Sequence, residues 1–422
     1  MTPTTAQPPA YDVIVLGAGI IGVCTALHLR QRGRRVCLLD QAEPGSGTSY
    51  GNAGLIERSS VVPYAFPHDF KRILRYAFNR EADVCYRLDA LPGLARWLWR
   101  YWRESAPRAL AAAARDMLPL IEGSIREHQP FIEAAGLERL IRQDGWIDVY
   151  RKARGLEQAA AEARALSAHG LRFEVLDAQA LRAREPGVLP ALRGGVHWLD
   201  PWTITAPGEL VRGYAQLFEA GGGQLLTACA QRIEPTGTGW RVVAGAQAYA
   251  ATDLVVALGP DSPALLEPLG YRFPLALKRG YHLHYQPRAD APALTRPICD
   301  SAGGYVLAPM RQGIRLTTGI ELARPGAAPS TTQIRRAHAL ASHIFPLGAA
   351  IEAQPWMGRR PCLPDMRPII GPAPRHPGLW LNFGHAHHGM TLGAVSGRLL
   401  AELMTRETPL TNPAPYRAAR FL

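Results

Sequence analysis

The hydrophobic and polar positions of this chain predict alternating strands and helices from the start. Residues 13–16 form an unbroken aliphatic run, as in a strand buried on both faces. Residues 20–31 follow with helical spacing, and Gly33 supplies a C-terminal stop. Residues 35–40 are a second apolar strand, so a complete βαβ unit spans about thirty residues. Residues 63–135 predict helices, in which Trp97, Trp99, Tyr101 and Trp102 are expected to be core rather than a cofactor box. Strands are expected at 145–150 and 173–176, around a helix at 155–169. A helix at 207–220 is closed by Gly221, Gly222 and Gly223, and a strand follows at 224–227. Residues 241–243 and 248–250 predict a hairpin, and 253–258 a separate apolar strand ending at Gly259. Alternation at 275–285 and 305–319 predicts antiparallel sheet, and helices are expected at 331–345 and 391–404. No repeat or flexible linker divides the chain, so its domains are expected to interleave.

Composition narrows this α/β picture. With 47% hydrophobic and 19% charged residues in 422, the chain predicts a folded protein with a large core. Its formal charge is +12, but Lys71, Lys152 and Lys278 are the only lysines and no Lys/Arg block occurs. Nucleic-acid binding is therefore set aside. An acidic substrate, or contact with anionic lipid, suits the charge better. The six cysteines are widely spaced without a CxxC pair, which predicts free thiols in a reducing compartment. Residues 1–10 are polar and Pro-rich and do not resemble a secretory signal. The expected location is cytoplasmic, with peripheral contact on the inner face of the membrane as a further option.

The chemistry begins at Gly17-Ala18-Gly19-Ile20-Ile21-Gly22, a GxGxxG turn between the first strand and first helix. The first glycine allows the turn, the second lets a diphosphate approach the backbone, and the third lets helix and strand pack closely. The helix N-terminus offers amides and a positive dipole end to the anion. Asp40, followed by Gln41, ends the second strand where a carboxylate can accept from a ribose hydroxyl, which disfavours NADP. The segment Gly47-Thr48-Ser49-Tyr50-Gly51-Asn52-Ala53-Gly54, continued by Leu55, is rich in small and hydroxyl residues. It suits a loop lying along a diphosphate and a planar ring, which favours FAD over NAD.

Several further motifs occur in order. They are Ser49-Tyr50-Gly51-Asn52-Ala53-Gly54, Leu277-Lys278-Arg279-Gly280-Tyr281, Gly358-Arg359-Arg360-Pro361-Cys362-Leu363-Pro364-Asp365, Pro368-Ile369-Ile370-Gly371, and Leu379-Trp380-Leu381-Asn382-Phe383-Gly384-His385. Over nearly its whole length the chain resembles the FAD-dependent D-amino-acid dehydrogenases, within the superfamily of glycine oxidase, sarcosine oxidase and D-amino-acid oxidase. Arg279 is an extra residue in the second motif. The resemblance implies a Rossmann-like FAD-binding domain (10–60, 200–265 and 355–422). Interleaved with it is an α+β substrate domain (61–199 and 266–354) carrying a mixed, largely antiparallel sheet over the flavin. It implies non-covalent FAD and oxidative deamination of a D-amino acid by hydride transfer from Cα to flavin N5, giving a 2-oxo acid and ammonia. Glycine, sarcosine and cyclic imino acids such as D-proline or D-hydroxyproline are alternative substrates. Oxygen, a quinone or a partner chain is the electron acceptor. A non-enzymatic dinucleotide-binding protein is the alternative from another class.

Arg360 is the expected anchor of a substrate carboxylate, because a guanidinium fixes both position and angle through two parallel hydrogen bonds. Arg359 is the alternative, facing the other way if the segment is a strand. Tyr281 or Tyr305 is expected to add a second carboxylate contact, and Tyr50 to border the flavin. Lys278 has a role by analogy only, above the ring. The loop Gly384-His385-Ala386-His387-His388-Gly389-Met390-Thr391 departs from the dehydrogenase pattern at Ala386, His387 and His388. It is expected to lead into the last helix beside the flavin, with His387 or His388 facing the substrate. No metal is expected, since no nearby Cys or carboxylate pair completes a ligand set. Cofactor contacts are also expected at Gly259, Gly384, His385, Gly389, Met390 and Thr391.

Overall fold

The computed structural model describes residues 11–422. The first ten residues, discussed above for lack of a secretory signal, lie outside them. One eight-stranded sheet is built around Tyr11–Leu16. That strand lies parallel to Val36–Asp40 on one side and to Gln247–Val256 on the other. Gln224–Thr227 extends the sheet beyond Val36–Asp40, and Leu379–Phe383 lies parallel to the end of Gln247–Val256. The central strand is apolar from Val13 to Leu16 because helices or loops cover both faces: Val13, Ile14, Val15 and Leu16 are all fully buried. Ile20–Gln31 packs on one face beside Gly389–Thr405, where His28 Nε2 bonds the Ala394 carbonyl at 3.0 Å.

The expected hairpin arm at 248–250 and the separate strand at 253–258 are one strand, Gln247–Val256. Its first half pairs antiparallel with Gly239–Ala244 and is largely exposed; its second half lies between buried parallel partners. The change of environment midway produces two different hydrophobic patterns in one element.

The second sheet has eleven strands and is mostly antiparallel. Its long strand Ala276–Pro287 pairs with Gly313–Thr318 on one edge and Trp356–Cys362 on the other. The expected domain boundary at 355 therefore falls too early: Trp356–Cys362 belongs to this second sheet. Period-two alternation gives the sheet two unlike faces. One carries Tyr305, Leu307, Leu316 and Ile147, packed with Ile334 and Phe345. The other carries Lys278, His282, His284, Arg315 and Arg360. It turns toward the first sheet, since Arg315 Nη1 donates to the carbonyls of Tyr50 (2.8 Å) and Asn52 (2.7 Å).

Helices Phe70–Ala77, Leu91–Glu104 and Pro107–Ala134 fill the region between residues 63 and 135. The aromatic cluster divides by helical face. Trp97 and Tyr101 are buried, but Trp99 and Trp102 are 55% and 42% exposed, so only half of it is core.

Candidate active site

Gly17 adopts φ +106°, and a Cβ there would lie 2.5 Å from the Ala257 carbonyl oxygen. At Gly22 a Cβ would lie 1.7 Å from the Gly17 carbonyl oxygen. The turn and the helix–strand approach both require glycine. Asp40 accepts from the backbone amides of Ala18 (2.6 Å) and Ala42 (3.0 Å), which fixes the carboxylate at the sheet's end beside the glycine turn. Ser49 Oγ accepts from the amide of Ile20 at 3.1 Å, so the 47–54 loop begins against the helix N-terminus. Asn52 Oδ1 accepts from the amides of Gly54 and Leu55, closing a side-chain turn. Thr48 Oγ1 bonds the Arg359 carbonyl, and Gln41 accepts from Cys229. Thr391 Oγ1 accepts from the Glu57 amide at 3.0 Å, tying the end of this loop to the start of the last helix.

These residues fit an FAD. Glycines along the expected path leave open space: a Cβ at Gly47, Gly259 or Gly389 would meet nothing within 4 Å. His385 and His388 are buried, and the Nε2 atoms of His385, His387 and His388 make no hydrogen bond among the described residues. The Gly384 turn at φ +87° brings His385 into a bridge with Cys362, and the Ala386 amide donates to the Pro361 carbonyl at 3.0 Å. The histidine loop is thereby fastened to the strand that carries Arg360.

Arg360 lies opposite Lys278 in the register, on the sheet face that turns toward the 48–54 loop. Its guanidinium lies over Gly280 and donates to the carbonyls of Gly319 (2.7 Å) and Thr318 (3.2 Å). No carboxylate of the described residues pairs with it, and burial pushes its pKa below the ordinary arginine value. Arg359 faces the other way, as alternation requires, and forms a two-pronged pair with Asp261 at 3.0 and 2.8 Å. It holds the sheet to the turn after Gln247–Val256 and is not free for substrate. Lys278 is not a surface lysine: its Nζ sits 4.0 Å from the Tyr101 ring centre and 5.2 Å from that of Trp97.

Two expectations fail on strand direction. Tyr281 follows Gly280 and so points to the opposite face, where its hydroxyl donates to Glu321 and accepts from the Ser330 amide. Tyr305 is packed with Leu307, Leu316 and Phe345 on that same helix-covered face, and its hydroxyl accepts from Arg151 at 3.3 Å. Neither tyrosine is beside Arg360.

His387 and His388 stand with ring centres 3.8 Å apart. His388 Nε2 is 3.9 Å from a Glu57 carboxylate oxygen. The three ligand atoms of Glu57, His387 and His388 lie within 4.8 Å of one another. The expectation that no nearby Cys or carboxylate pair completes a ligand set considered chain neighbours; Glu57, far away in the sequence, brings one carboxylate to these histidines. Burial pushes His388 down to about 4 and Glu57 up to about 7. At neutral pH the pair is predominantly neutral imidazole beside a partly protonated carboxyl, not a full ion pair.

Sequence reasoning missed three groups. Tyr64 packs its ring 4.7 Å from that of His387, within electrostatic reach of Arg360, Glu57 and Asp148. Asp148 accepts from Ser301 at 3.0 Å, and burial raises its pKa to about 6. Arg315 links the Glu352–His284 pair to the Tyr50 and Asn52 carbonyls, its Nε donating to His284 Nε2 at 2.9 Å. Each depends on contacts between distant segments, and the alternation that puts Arg315 beside Thr317 was its one local sign.

A βαβ glycine turn, a carboxylate at the end of the second strand and a second sheet facing the same cleft define a two-domain dinucleotide-binding oxidoreductase. The family model described as FAD dependent oxidoreductase matches residues 12–403, and the chain belongs to that family. It is 31% identical over 433 residues to a D-amino-acid oxidase of Bradyrhizobium diazoefficiens, covering 99% of this chain and 100% of that one. It is 32% identical to a D-amino acid dehydrogenase of Cereibacter sphaeroides, covering 97% and 95%. The crystal structure of glycine oxidase from Geobacillus kaustophilus superposes with a TM-score of 0.74 at 20% identity, covering 98% and 99%. The chain is thus an FAD-dependent enzyme with a Rossmann-type cofactor domain and a substrate domain.

Proposed function

We propose that this enzyme oxidises a D-amino acid to the imino acid, which hydrolyses to a 2-oxo acid and ammonia. The observation that carries the reading is Arg360, a guanidinium in the cleft with carbonyls on one side and no carboxylate among the described residues. A substrate carboxylate supplies the missing anion through two parallel hydrogen bonds. The names of the relatives, D-amino-acid oxidase and D-amino acid dehydrogenase, support the substrate class.

FAD, when bound, supplies the two-electron acceptor for the Cα–H bond. Gly17, Gly19, Ile20, Ile21 and Gly22 would hold its diphosphate, Asp40 and Gln41 the ribose, and Thr48 to Leu55 the ring. Gly259, Gly384, His385, Gly389, Met390 and Thr391 would complete the cradle. Arg360 fixes the substrate angle, the neutral His387 and Tyr64 wall the cleft, and Glu57 offers a site for the amine proton. The cofactor domain comprises the segments of the first sheet with Gly389–Thr405, and the substrate domain the segments of the second sheet. The acceptor that reoxidises the enzyme is oxygen, a quinone or a partner chain, and six unpaired thiols support a cytoplasmic setting.

The test is anaerobic bleaching of the visible flavin band by a panel of D-, L- and N-alkyl amino acids and prolines. Bleaching by D-amino acids is expected. Arg360→Ala should retain FAD and lose about 2–5 kcal/mol of kcat/KM. Bleaching by none of the panel, or a fully active Arg360→Ala, sinks the proposal.

A further inference from the structure

Helix Phe70–Ala77 buries none of its residues. Asp69 caps it, its side chain accepting from the Lys71 amide. At one hundred degrees per residue, Phe70, Leu74, Ala77 and the following Phe78 share one side. Lys71, Arg75 and Arg72 follow on the adjoining arc, beginning next to Phe78, and Ile73 and Tyr76 complete the circle on the half-buried side that touches the protein. Tyr76 is the tether, its hydroxyl bonding Asp83 at 2.5 Å. The apolar side faces out: Phe70 is 73% exposed and Phe78 65%. Just before the helix, His68 stacks on Trp102 at 5.0 Å, which joins this side to the exposed face of Leu91–Glu104. That face adds Trp99 and Trp102. The same helix presents Trp97 and Tyr101 inward against Lys278, beside Arg360. The segment is therefore a roof over the cleft, with an apolar, aromatic outer surface.

We infer that this roof docks on an anionic membrane surface, with Phe70, Leu74, Phe78, Trp99 and Trp102 entering the headgroup region. Three observations favour lipid. An exposed helix with large apolar residues on one side and lysine and arginine along its flank is a form that lies in a bilayer interface. Tryptophans at the rim suit the headgroup level. Residues 62–108 hold nine Lys and Arg against five Asp and Glu, so the surface is attracted to anionic lipid. A second copy placed face to face would bring two positive surfaces together, which opposes self-association there. The inference goes beyond the proposed reaction and does not depend on its substrate. Its consequence is that the flavin cleft opens close to a bilayer.

The FAD-loaded full chain should co-float with phosphatidylcholine vesicles containing phosphatidylglycerol at low salt, and bind pure phosphatidylcholine vesicles less well. Phe70→Ser with Leu74→Ser should weaken binding by about ten-fold or more. Lys71→Glu with Arg72→Glu should weaken it further as salt is lowered relative to the native chain. FAD content and anaerobic flavin bleaching should match the native enzyme in both variants, because these side chains are exposed and none bonds to Arg360 or its partners Thr318 and Gly319. Failure to bind phosphatidylglycerol vesicles at low salt overturns the inference. So does binding that the Phe70→Ser, Leu74→Ser pair leaves intact. A native dimer that this pair converts to monomer in sedimentation would also overturn it, by assigning the face to a second copy.

Discussion

Gly280→Ala tests the substrate anchor without touching it. A Cβ at Gly280 would lie 2.5 Å from both terminal nitrogens of Arg360 and 2.6 Å from Cζ. Carbon and nitrogen at ordinary contact stand about 3.5–4.0 Å apart, so the guanidinium must move by roughly 1 Å. The obstacle is the end of a flexible side chain, so the fold should absorb the methyl at small cost. The active site should not. A misplacement of about 1 Å in a positioning group costs about 100-fold in rate, and loss of the two-pronged geometry up to 2–5 kcal/mol. We expect native FAD content, a melting temperature within a few degrees of native, and kcat/KM for the best D-amino acid lower by about 30- to 1,000-fold. The readout is anaerobic flavin bleaching under single-turnover conditions, with FAD content measured on the same sample. A variant with native kcat/KM would refute the argument, because Arg360 cannot keep its position beside that methyl. A variant that loses FAD would also count against it, since the clash lies in the substrate sheet and not in the glycine turn.

Three further outcomes follow from the geometry. Asp40→Asn places an amide nitrogen against one of the two backbone amides that Asp40 now accepts from, and should weaken FAD binding by about 1.5–3 kcal/mol, read by titrating apoprotein with FAD; unchanged affinity would free Asp40 of that role. Arg315→Met removes a guanidinium that is 2% exposed and holds the Tyr50 and Asn52 carbonyls. It should cost about 2–4 kcal/mol in thermal stability and raise the FAD dissociation constant, and a native melting curve would count against it. His128 is buried and neutral, bonded to the Met390 carbonyl at 2.8 Å and the Tyr214 hydroxyl at 3.1 Å, and burial lowers its pKa from 6.5 to about 4. A depressed folded pKa gives stability that is complete above pH 6.5 and lost as pH falls toward 4, by up to roughly 3 kcal/mol. His128→Gln should flatten that decline in a pH series of melting temperatures; parallel curves would assign the acid sensitivity elsewhere.

The parts of this fold that were legible in the sequence are those set by neighbours along the chain. Ile20–Gln31, Pro207–Ala220 and Gln224–Thr227 begin and end where the glycines and the apolar periods place them. The glycine turn, its strand and Asp40 are equally local, which is why the cofactor class could be reached before any fold was known. What the sequence could not supply was the choice between two faces. Alternation in Ala276–Pro287 sorts its residues into two sets, but nothing local says which set meets the cofactor domain. Pairing with Trp356–Cys362 decides it, placing Arg360 opposite Lys278 and turning Tyr281 to the other, helix-covered face against Glu321.

The histidine loop shows the same limit from the other side. Its residues were legible as unusual, yet their chemistry depends on Glu57 and Tyr64, from the stretch after Leu55–Ile56, and on Arg360, from Trp356–Cys362. The glycine turn fixes the end of the first helix, the 47–54 loop is pinned to that helix through Ser49, and the Asn52 turn then delivers Glu57 to Thr391. The loop proposed to cradle the cofactor therefore also places the carboxyl of Glu57 beside the histidine loop. A change in the cradle should be felt in the cleft even when no cleft residue is altered, because Ser49, Asn52 and Glu57 lie on one short, hydrogen-bonded path.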